Sequence, residues 1–261
     1  MAISKYQDNL YLGTSGWSYQ WQSFYPKSLS ERKKLTYLAK NFNSAEINNS
    51  FYRLPSSKTY NNWLSLTKAN QDFKFSLKLS RYISHVKRLK QTKTALRKFL
   101  KPIQNFEDKI LSILVQLPEN YKADTDTLNS FLSDYQDLKQ ELKINKLPLA
   151  FEFRHKSWLE NDASYQIIKK YHANIVLSHS NKFVNPQQDL SSAKFSYIRL
   201  HGPYEIYASD YSNYRLNKWA DLIVKKLKEN KKVFVYFNND KKGFAPKNAL
   251  SLKKIISNKL K

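Results

Sequence analysis

The chain has 261 residues, no cysteine and four glycines, and its 45 basic and 21 acidic residues give a formal net charge of +24. The lack of cysteine excludes disulfides, thiolate metal sites, iron–sulfur clusters and a cysteine nucleophile. Four scattered glycines cannot build a phosphate-binding loop or a dinucleotide fingerprint, so we expect no nicotinamide, flavin or iron–sulfur cofactor. The chain has no signal-peptide core and no run of roughly 18 apolar residues, which predicts a cytoplasmic protein without a membrane partner.

Eight short apolar or alternating runs predict eight β-strands. They cover residues 10–16, 44–51, 74–80, 110–118, 149–155, 174–180, 195–202 and 233–240. Most segments between them have helical spacing, at 32–42, 92–106, 128–135, 167–171, 219–227 and 250–256. The segment 181–194 is polar and contains Pro186, so we expect a weak or missing helix there. This alternation predicts an α/β fold, a single-domain (β/α)8 TIM barrel over residues 1–261, with an open doubly wound sheet as the alternative.

Polar side chains of one parity occur near the ends of most predicted strands, after an apolar start. These residues are Glu46, Asn48, Lys78, Gln116, Glu152, Arg154, Arg199, His201 and Asn238, with His155 and Asn239 beside them. The carboxyl ends of barrel strands meet at one mouth, where the active sites of this fold lie. Burying so many ions without a function would cost several kcal/mol per poorly compensated ion, so we predict a shared ligand site. A satisfied core ion pair between Glu152 and Arg154 is the alternative.

Two glycines follow the last two predicted strands, Gly202 in one loop and Gly243 in the next. In this fold the corresponding loops often bind phosphate through backbone N–H groups and a helix N-terminus. Lys241, Lys242 and Arg199 are placed to add positive charge to such a site. The same glycines are equally expected if the two loops only need tight turns.

The chain resembles family 72 of the domains of unknown function, the YecE-like proteins. The motifs are GTSGWSYQWQSFYP (13–26), AEINNSFYRLP (45–55), FKFSLKLSRYISHVKRL (73–89), ILVQLPENY (113–121), FEFRHKSW (151–158), YIRLHGP (197–203) and YFNNDKKGFAPKNAL (236–250). The resemblance implies a (β/α)8 barrel and no established activity. It maps the family's recurring polar positions onto the strand-end residues above and onto Trp17, Tyr19 and His85. The chain departs from the pattern at Asn49-Ser50, where Ser-Thr is more usual, and at Ser23, where glycine is usual.

The leading functional hypothesis is an enzyme that acts on a phosphorylated or otherwise anionic ligand in a cation-rich pocket. Glu46 or Glu152 is the candidate general base, and His85, His155 or His201 is the candidate proton donor. The candidate ligand-binding residues are Trp17, Tyr19, Asn48, Lys78, Gln116, Arg154, Trp158, Arg199, Gly202, Asn238 and Asn239. Arg154, Arg199 and Lys78 would neutralise ligand charge. Trp17 and Trp158 would stack on a ring, or else anchor loops.

Three alternatives stay open. A divalent metal is the less favoured one, because His201, His85, Glu46 and Glu152 are ligand types without a recognisable spacing. A nucleic-acid-binding or nucleic-acid-processing protein, including a metal-assisted nuclease, fits the net charge and the aromatic residues Trp17, Tyr19, Trp21, Tyr52, Trp158, Tyr204, Tyr207 and Tyr211. Lysines that only solvate helix faces would explain the same charge. A non-catalytic protein that binds a small anion would use the same pocket as the enzyme.

Overall fold

The computed structural model of the protein describes residues 6, 8–184, 186 and 194–261. In this part of the chain, nine parallel strands form one sheet in the order β6-β5-β4-β3-β2-β1-β9-β8-β7. Their bounds are β1 Leu10–Ser15, β2 Ser44–Ile47, β3 Lys74–Lys78, β4 Ile110–Gln116, β5 Leu149–Glu152, β6 Asn174–Ile175, β7 Leu177–His179, β8 Phe195–Leu200 and β9 Lys232–Phe237. All eight predicted strands are therefore present.

The sheet closes into a barrel through its sixth predicted strand, which is divided in two. β6 pairs with β5, and β7 pairs with β8. Only Val176 separates the two halves, and its N–H donates to the Phe151 carbonyl at 2.9 Å. The fold is the predicted (β/α)8 TIM barrel and not an open doubly wound sheet.

Eight α-helices follow the strands within the described ranges. They are α1 Lys34–Asn41, α2 Asn49–Tyr52, α3 Ser57–Thr67, α4 Lys93–Leu100, α5 Thr125–Glu141, α6 Asp162–Lys170, α7 Asn213–Lys228 and α8 Phe244–Lys259. Segments of 3-10 helix lie at Glu31–Lys33, Lys101–Lys109, Lys156–Trp158 and Lys241–Gly243, and a π-turn lies at Tyr82–Val86.

Three details differ from the sequence-based expectation. The second strand ends at Ile47, and Asn49–Tyr52 form a helical turn where the strand is predicted to continue. α3 is not predicted, because few apolar residues mark its buried face of Tyr60, Trp63 and Thr67. The predicted helix 92–106 tightens to a 3-10 helix at residue 101, where Pro102 removes a backbone donor. The expectation of a weak helix at 181–194 falls largely on residues 185 and 187–193, outside the described residues.

The core has an outer and an inner part. Outside the barrel, the predicted apolar helix faces pack on the strands, and Leu35, Leu38 and Phe131 are buried there. Inside the barrel, Tyr11 packs edge-on against Phe234 with ring centroids 5.7 Å apart. None of the helices in the described ranges is long and apolar enough to cross a membrane.

The inner core changes character along the barrel axis. Above the aromatic layer, the Tyr236 hydroxyl lies 2.7 Å from Ser44 Oγ and 2.9 Å from Ser76 Oγ. The next inward positions towards the carboxyl ends of β2, β5 and β8 are Glu46, Glu152 and Arg199, all buried. In the barrel, a layer of charged side chains therefore lies directly above a layer of hydroxyl groups that are hydrogen-bonded to one another.

Candidate active site

Arg199 of β8 lies at the centre of the charged layer and is fully buried. Its Nε donates to Glu46 Oε2 at 3.0 Å and its Nη2 to Glu46 Oε1 at 2.7 Å, a bidentate ion pair across the barrel. Its Nη1 pairs with Glu152 of β5. All three nitrogens of the guanidinium therefore have carboxylate partners, and little of it is left for a ligand.

The two carboxylates are fixed by further donors. Glu46 accepts from Ser15 Oγ at 2.8 Å and from the Tyr197 hydroxyl at 2.7 Å. Burial alone would raise the pKa of Glu152, but Arg199, His201 and Arg154 together hold this pKa well below its usual range. Glu152 is therefore ionised at neutral pH, as an ion pair and not as a free general base.

Arg154 extends the network towards solvent. Its Nε donates to Glu152 Oε1 at 3.0 Å, and its Nη2 donates to Gln116 Oε1 at 3.0 Å and to the Tyr207 hydroxyl at 3.1 Å. The guanidinium stacks 3.8 Å from the centroid of the Phe183 ring. Its side chain is 10% exposed, so Arg154 presents a cation at the mouth while Arg199 lies beneath it.

Lys78, the last residue of β3, is a third cation with a different environment. Its Nζ lies 4.1 Å from the centroid of the Phe51 ring. Within the described part of the chain, this amine has no hydrogen bond and no ion pair. Burial, assisted by the charges of Arg199 and Arg154, lowers the pKa of Lys78 to about 7.

Two of the three candidate histidines adjoin this network. His201 is fully buried, and its Nε2 lies 3.3 Å from Glu152 Oε1. Burial lowers the pKa of His201 to about 4, despite the opposing effect of Glu152. His85 contacts Phe51 edge-on at 5.0 Å, and burial together with Lys78 lowers its pKa to about 4. Both imidazoles are neutral at pH 7, so neither is a charged acid there.

Asp240, which follows β9, is a titratable group of the mouth that the sequence-based candidates omit. Burial raises the pKa of Asp240 to about 8, although Tyr19 and Arg199 oppose the change. Asn238 satisfies both of its neighbours when its amide nitrogen donates to Asp240 Oδ2 at 2.8 Å and its oxygen accepts from Arg199 Nη2 at 3.2 Å. Asp240 Oδ1 is buried, and no described residue forms a hydrogen bond with it. In the sequence, Asp240 follows Asn238 by two residues, a spacing that places both side chains on the same side of the predicted strand 233–240.

Tyr19 and Asn48 lie beside this aspartate, on the loops after β1 and β2. The Tyr19 hydroxyl donates to the Ser15 carbonyl at 3.2 Å, and its ring stacks on Trp21 at 5.1 Å. Asn48 Nδ2 donates to the same carbonyl at 3.3 Å, while its Oδ1 has no partner in the described part of the chain. Unsatisfied acceptors of this kind suit a ligand hydroxyl or an ordered water.

Three aromatic candidates serve the fold in this structure. The Trp158 ring is completely buried, stacks on Phe153 at 4.9 Å and donates from Nε1 to the Tyr121 carbonyl at 2.7 Å. Trp17 packs edge-on against Trp63 at 5.6 Å. His155 caps a 3-10 turn, with its Nδ1 3.2 Å from the Ser157 nitrogen. Trp158 therefore has no ring face for a ligand, and Trp17 and His155 act as loop anchors.

The loops after β8 and β9 are held by their own contacts. Gly202 has φ +112°, and a Cβ there would lie 2.6 Å from the Glu205 carbonyl oxygen, which explains the glycine. Asn239 Nδ2 donates to the Ser209 carbonyl at 2.9 Å and to Asn248 Oδ1 at 2.8 Å. Lys241 is exposed, 3.4 Å from Glu205. With Arg199 committed to carboxylates, the tight-turn interpretation of these loops fits better than a phosphate site built on Arg199.

No three histidine, aspartate or glutamate side chains among the described residues are grouped so that they could hold a metal ion. An open cavity of about 730 Å³ lies at the opposite end of the barrel. Its lining includes Leu10, Lys74 and Lys109, at or next to the starts of strands. Binding and catalysis in this fold take place at the carboxyl ends, so we place the candidate site at the mouth and not in this cavity.

Comparisons with known proteins support the fold and the family. The sequence matches the family model described as protein of unknown function DUF72 over residues 11–261. A DUF72 family protein from Thermotoga maritima MSB8 is 27% identical, with a TM-score of 0.77, over 95% of this chain and 98% of that one. One from Enterococcus faecalis V583 is 20% identical, with a TM-score of 0.77, over 95% of each chain.

A more distant structural neighbour shares the fold alone. D-psicose 3-epimerase from Clostridium cellulolyticum H10 is 12% identical, with a TM-score of 0.53, over 92% of this chain and 97% of that one. No match was found among curated proteins.

Proposed function

Because this chain belongs to the DUF72 family, whose description names no activity, we propose its function from the mouth itself: it is an enzyme that acts on a small anionic ligand. The observation that carries this proposal is Lys78. Lys78 is half-buried, and a cation that is partly desolvated is normally paired with an anion. Lys78 has no carboxylate partner in the described structure, and a ligand anion would supply one.

The charge balance of the mouth supports an anion. Arg199, Arg154 and Lys78 face the carboxylates of Glu46 and Glu152. Asp240, with a pKa raised to about 8, is mostly protonated at neutral pH and adds little negative charge. The site therefore keeps a positive excess while Lys78 is protonated.

The structure also suggests which cations touch the ligand. Arg199 is enclosed by Glu46 and Glu152, so it organises the site and does not bind the ligand directly. Arg154 reaches the mouth, and Lys78 stands at the end of β3 without an ion pair to any described residue. We propose that Lys78 and Arg154 bind the negative charge of the ligand, whereas the sequence suggested that Arg199 would also do so.

Catalysis, as opposed to binding alone, is supported by two groups poised near neutral pH. A protonated acid with a pKa of about 8 and an amine with a pKa of about 7 can exchange protons at the pH at which the protein works. Such tuned pairs cluster at functional sites. Asp240 is the candidate proton donor and Lys78 the candidate proton acceptor.

The proposal is tested by calorimetric titration of oxalate, inorganic phosphate and citrate into the protein. We expect one of these anions to bind with one site per chain, and Lys78→Met to abolish that binding. Lys228→Met, which removes an exposed lysine at the far end of α7, is the matched control and should bind as the wild type does. Equal binding by both variants would contradict the assignment.

A second candidate function, binding of single-stranded nucleic acid, is favoured by the rim of the mouth. Tyr52 at the end of α2, Tyr204 in the loop after β8 and Tyr214 in the first turn of α7 are 80%, 66% and 67% exposed. Arg215 lies 5.0 Å from the Tyr204 ring and Lys218 lies 4.5 Å from the Tyr214 ring. Exposed aromatic rings next to cations are the usual platforms for stacked bases. Trp21, Trp158 and Tyr211, which the sequence also suggested for this role, are buried.

Binding of a fluorescent oligothymidine at several salt concentrations tests this second function. Rim contacts predict an affinity that falls steeply with salt and is reduced in Tyr52→Ala and Tyr204→Ala. Binding that is insensitive to salt, or unchanged in both variants, would exclude it.

A further inference from the structure

The amine of Lys78 differs from the other two cations of the mouth. Arg154 and Arg199 are paired with carboxylates at 3.0 Å or less. Lys78 Nζ instead lies over the face of the Phe51 ring, 4.1 Å from its centroid. A lysine has a four-carbon stem that usually carries its charge out to water, yet this one is only half-exposed at the mouth. The ring face attracts an ammonium ion, but more weakly than the carboxylates that pair with the two arginines.

The groups around Lys78 have opposite effects on the pKa of its amine. Desolvation acts first against the ammonium form, and the positive charges of Arg199 and Arg154 add to it. Glu152 and Glu46 favour the ammonium form, but both are already engaged by Arg199. His85, on the turn after β3, is neutral and adds no counter-charge. Near neutral pH a substantial fraction of Lys78 is consequently the free amine.

A desolvated lysine beside other cations is the environment that activates an amine as a nucleophile towards carbonyl carbon. We propose that Lys78 is a covalent catalytic residue that forms an imine with the carbonyl group of an anionic ligand. This inference rests on the proposed function, since Arg154 would hold the anionic group while the amine reacts.

Formation of the imine needs no reactant besides the Lys78 amine and the carbonyl compound. The Lys78 nitrogen attacks the carbonyl carbon and a C–N bond forms. The carbonyl oxygen then leaves with the two amine hydrogens as water, and the C=N bond remains. The imine nitrogen, once protonated, withdraws electrons from the neighbouring carbon. The ligand class is thus a small oxoacid or another carbonyl compound that carries a negative charge.

Lys74 provides an internal control on the same strand. It lies at the opposite end of β3, and burial together with Lys232 and Lys109 also lowers its pKa. It lines the cavity at the other end of the barrel and is remote from the mouth. If a lowered pKa alone sufficed, Lys74 would react as well. If the surroundings of the mouth are also required for the reaction, only Lys78 will react.

The test is reductive trapping with glyoxylate and with pyruvate at pH 7 in the presence of sodium cyanoborohydride, read by intact mass and peptide mapping. We expect one adduct per chain, located on Lys78 and formed at least about tenfold faster than on any surface lysine, because a much larger share of this amine is unprotonated. Lys74→Met should be trapped like the wild type. Lys78→Arg should keep its melting temperature and lose the adduct.

The outcomes separate the two proposals. Oxalate binding that depends on Lys78, without any adduct on Lys78, would overturn the imine and leave the anion site standing. Adducts spread over Lys74 and surface lysines at similar rates would also overturn the imine. Neither oxalate binding nor trapping would overturn both proposals.

Discussion

The two halves of the barrel interior use polar groups in opposite ways. In the lower half the hydroxyls of Ser44, Ser76 and Tyr236 satisfy one another, and the aromatic rings of Tyr11 and Phe234 fill the remaining space. At the mouth the inward-facing groups are mostly ions, and Asp240 Oδ1 and Asn48 Oδ1 have no hydrogen-bond partner among the described residues; lower in the barrel, Asn174 Oδ1 also lacks one. A polar group buried without a partner costs free energy, so the mouth is less stable than it could be. The contrast indicates that the lower half is built for stability and the mouth for a ligand.

The strongest test of this contrast is Arg199→Met, which removes the central cation of the mouth. Glu46 and Glu152 would then stay buried without their cation. We expect the free energy of unfolding, measured by urea titration, to fall by about 3–5 kcal/mol. Combining Arg199→Met with Glu46→Gln should recover part of this loss, since one uncompensated charge disappears. A loss below about 1 kcal/mol in the single variant would contradict a structural role for the ion pair.

A second test uses the pH dependence of stability at Lys78. Its pKa is about 7 in the folded protein against an ordinary 10.5, so the unfolded chain holds more protons between these values. Stability therefore rises with pH across that window, and the ammonium form destabilises the fold below it. Compared with Lys78→Met, the wild type should gain on the order of 2 kcal/mol between pH 7 and pH 10. Parallel stability curves for the two proteins would show that Lys78 is an ordinary surface lysine.

The variant Asp240→Asn tests the second group at the mouth whose pKa is shifted towards neutral pH. The folded-state pKa of Asp240 is raised to about 8, so its carboxyl destabilises the fold progressively as pH rises from about 4 to 8. The asparagine variant should be more stable at pH 8 by up to about 5 kcal/mol, and equally stable at pH 3. If Asp240 donates a proton, the variant should also lose turnover of any substrate found. Lower stability at pH 8 would show that the carboxylate is needed by the fold.

The smallest effect is expected in the lower half. Tyr236→Phe leaves Ser44 and Ser76 without the hydroxyl that they share. The expected cost is about 1 kcal/mol in the free energy of unfolding, without any change in anion binding. A change in oxalate affinity with unchanged stability would reverse the division of roles between the two halves.

Much of this arrangement could be predicted from the sequence. Alternation of apolar and polar residues shows where the strands lie. In a barrel, alternate residues of each strand face inward and the carboxyl ends of the strands meet, which is enough to place Glu46, Glu152 and Arg199 in one layer. The resemblance to the DUF72 family is confirmed by the family match. The fold and the place of this layer therefore follow from patterns within single segments.

Other features depend on contacts between distant segments. Nothing local shows that Arg199 is enclosed by carboxylates from β2 and β5, or that Trp158 is buried against Phe153 and Tyr121. The raised pKa of Asp240 comes from burial, which the run of polar residues around it does not suggest. The division of the sixth strand at Val176 also has no local signal.

The most direct test of the central claim is an NMR titration of the Lys78 amine in protein labelled with 13C at lysine Cε, with Lys78→Arg used to assign the resonance. The structure predicts a midpoint near pH 7, which oxalate should shift upward because a bound anion stabilises the ammonium form. A midpoint near the ordinary 10.5, unmoved by oxalate, would mean that Lys78 is neither buried nor part of a ligand site.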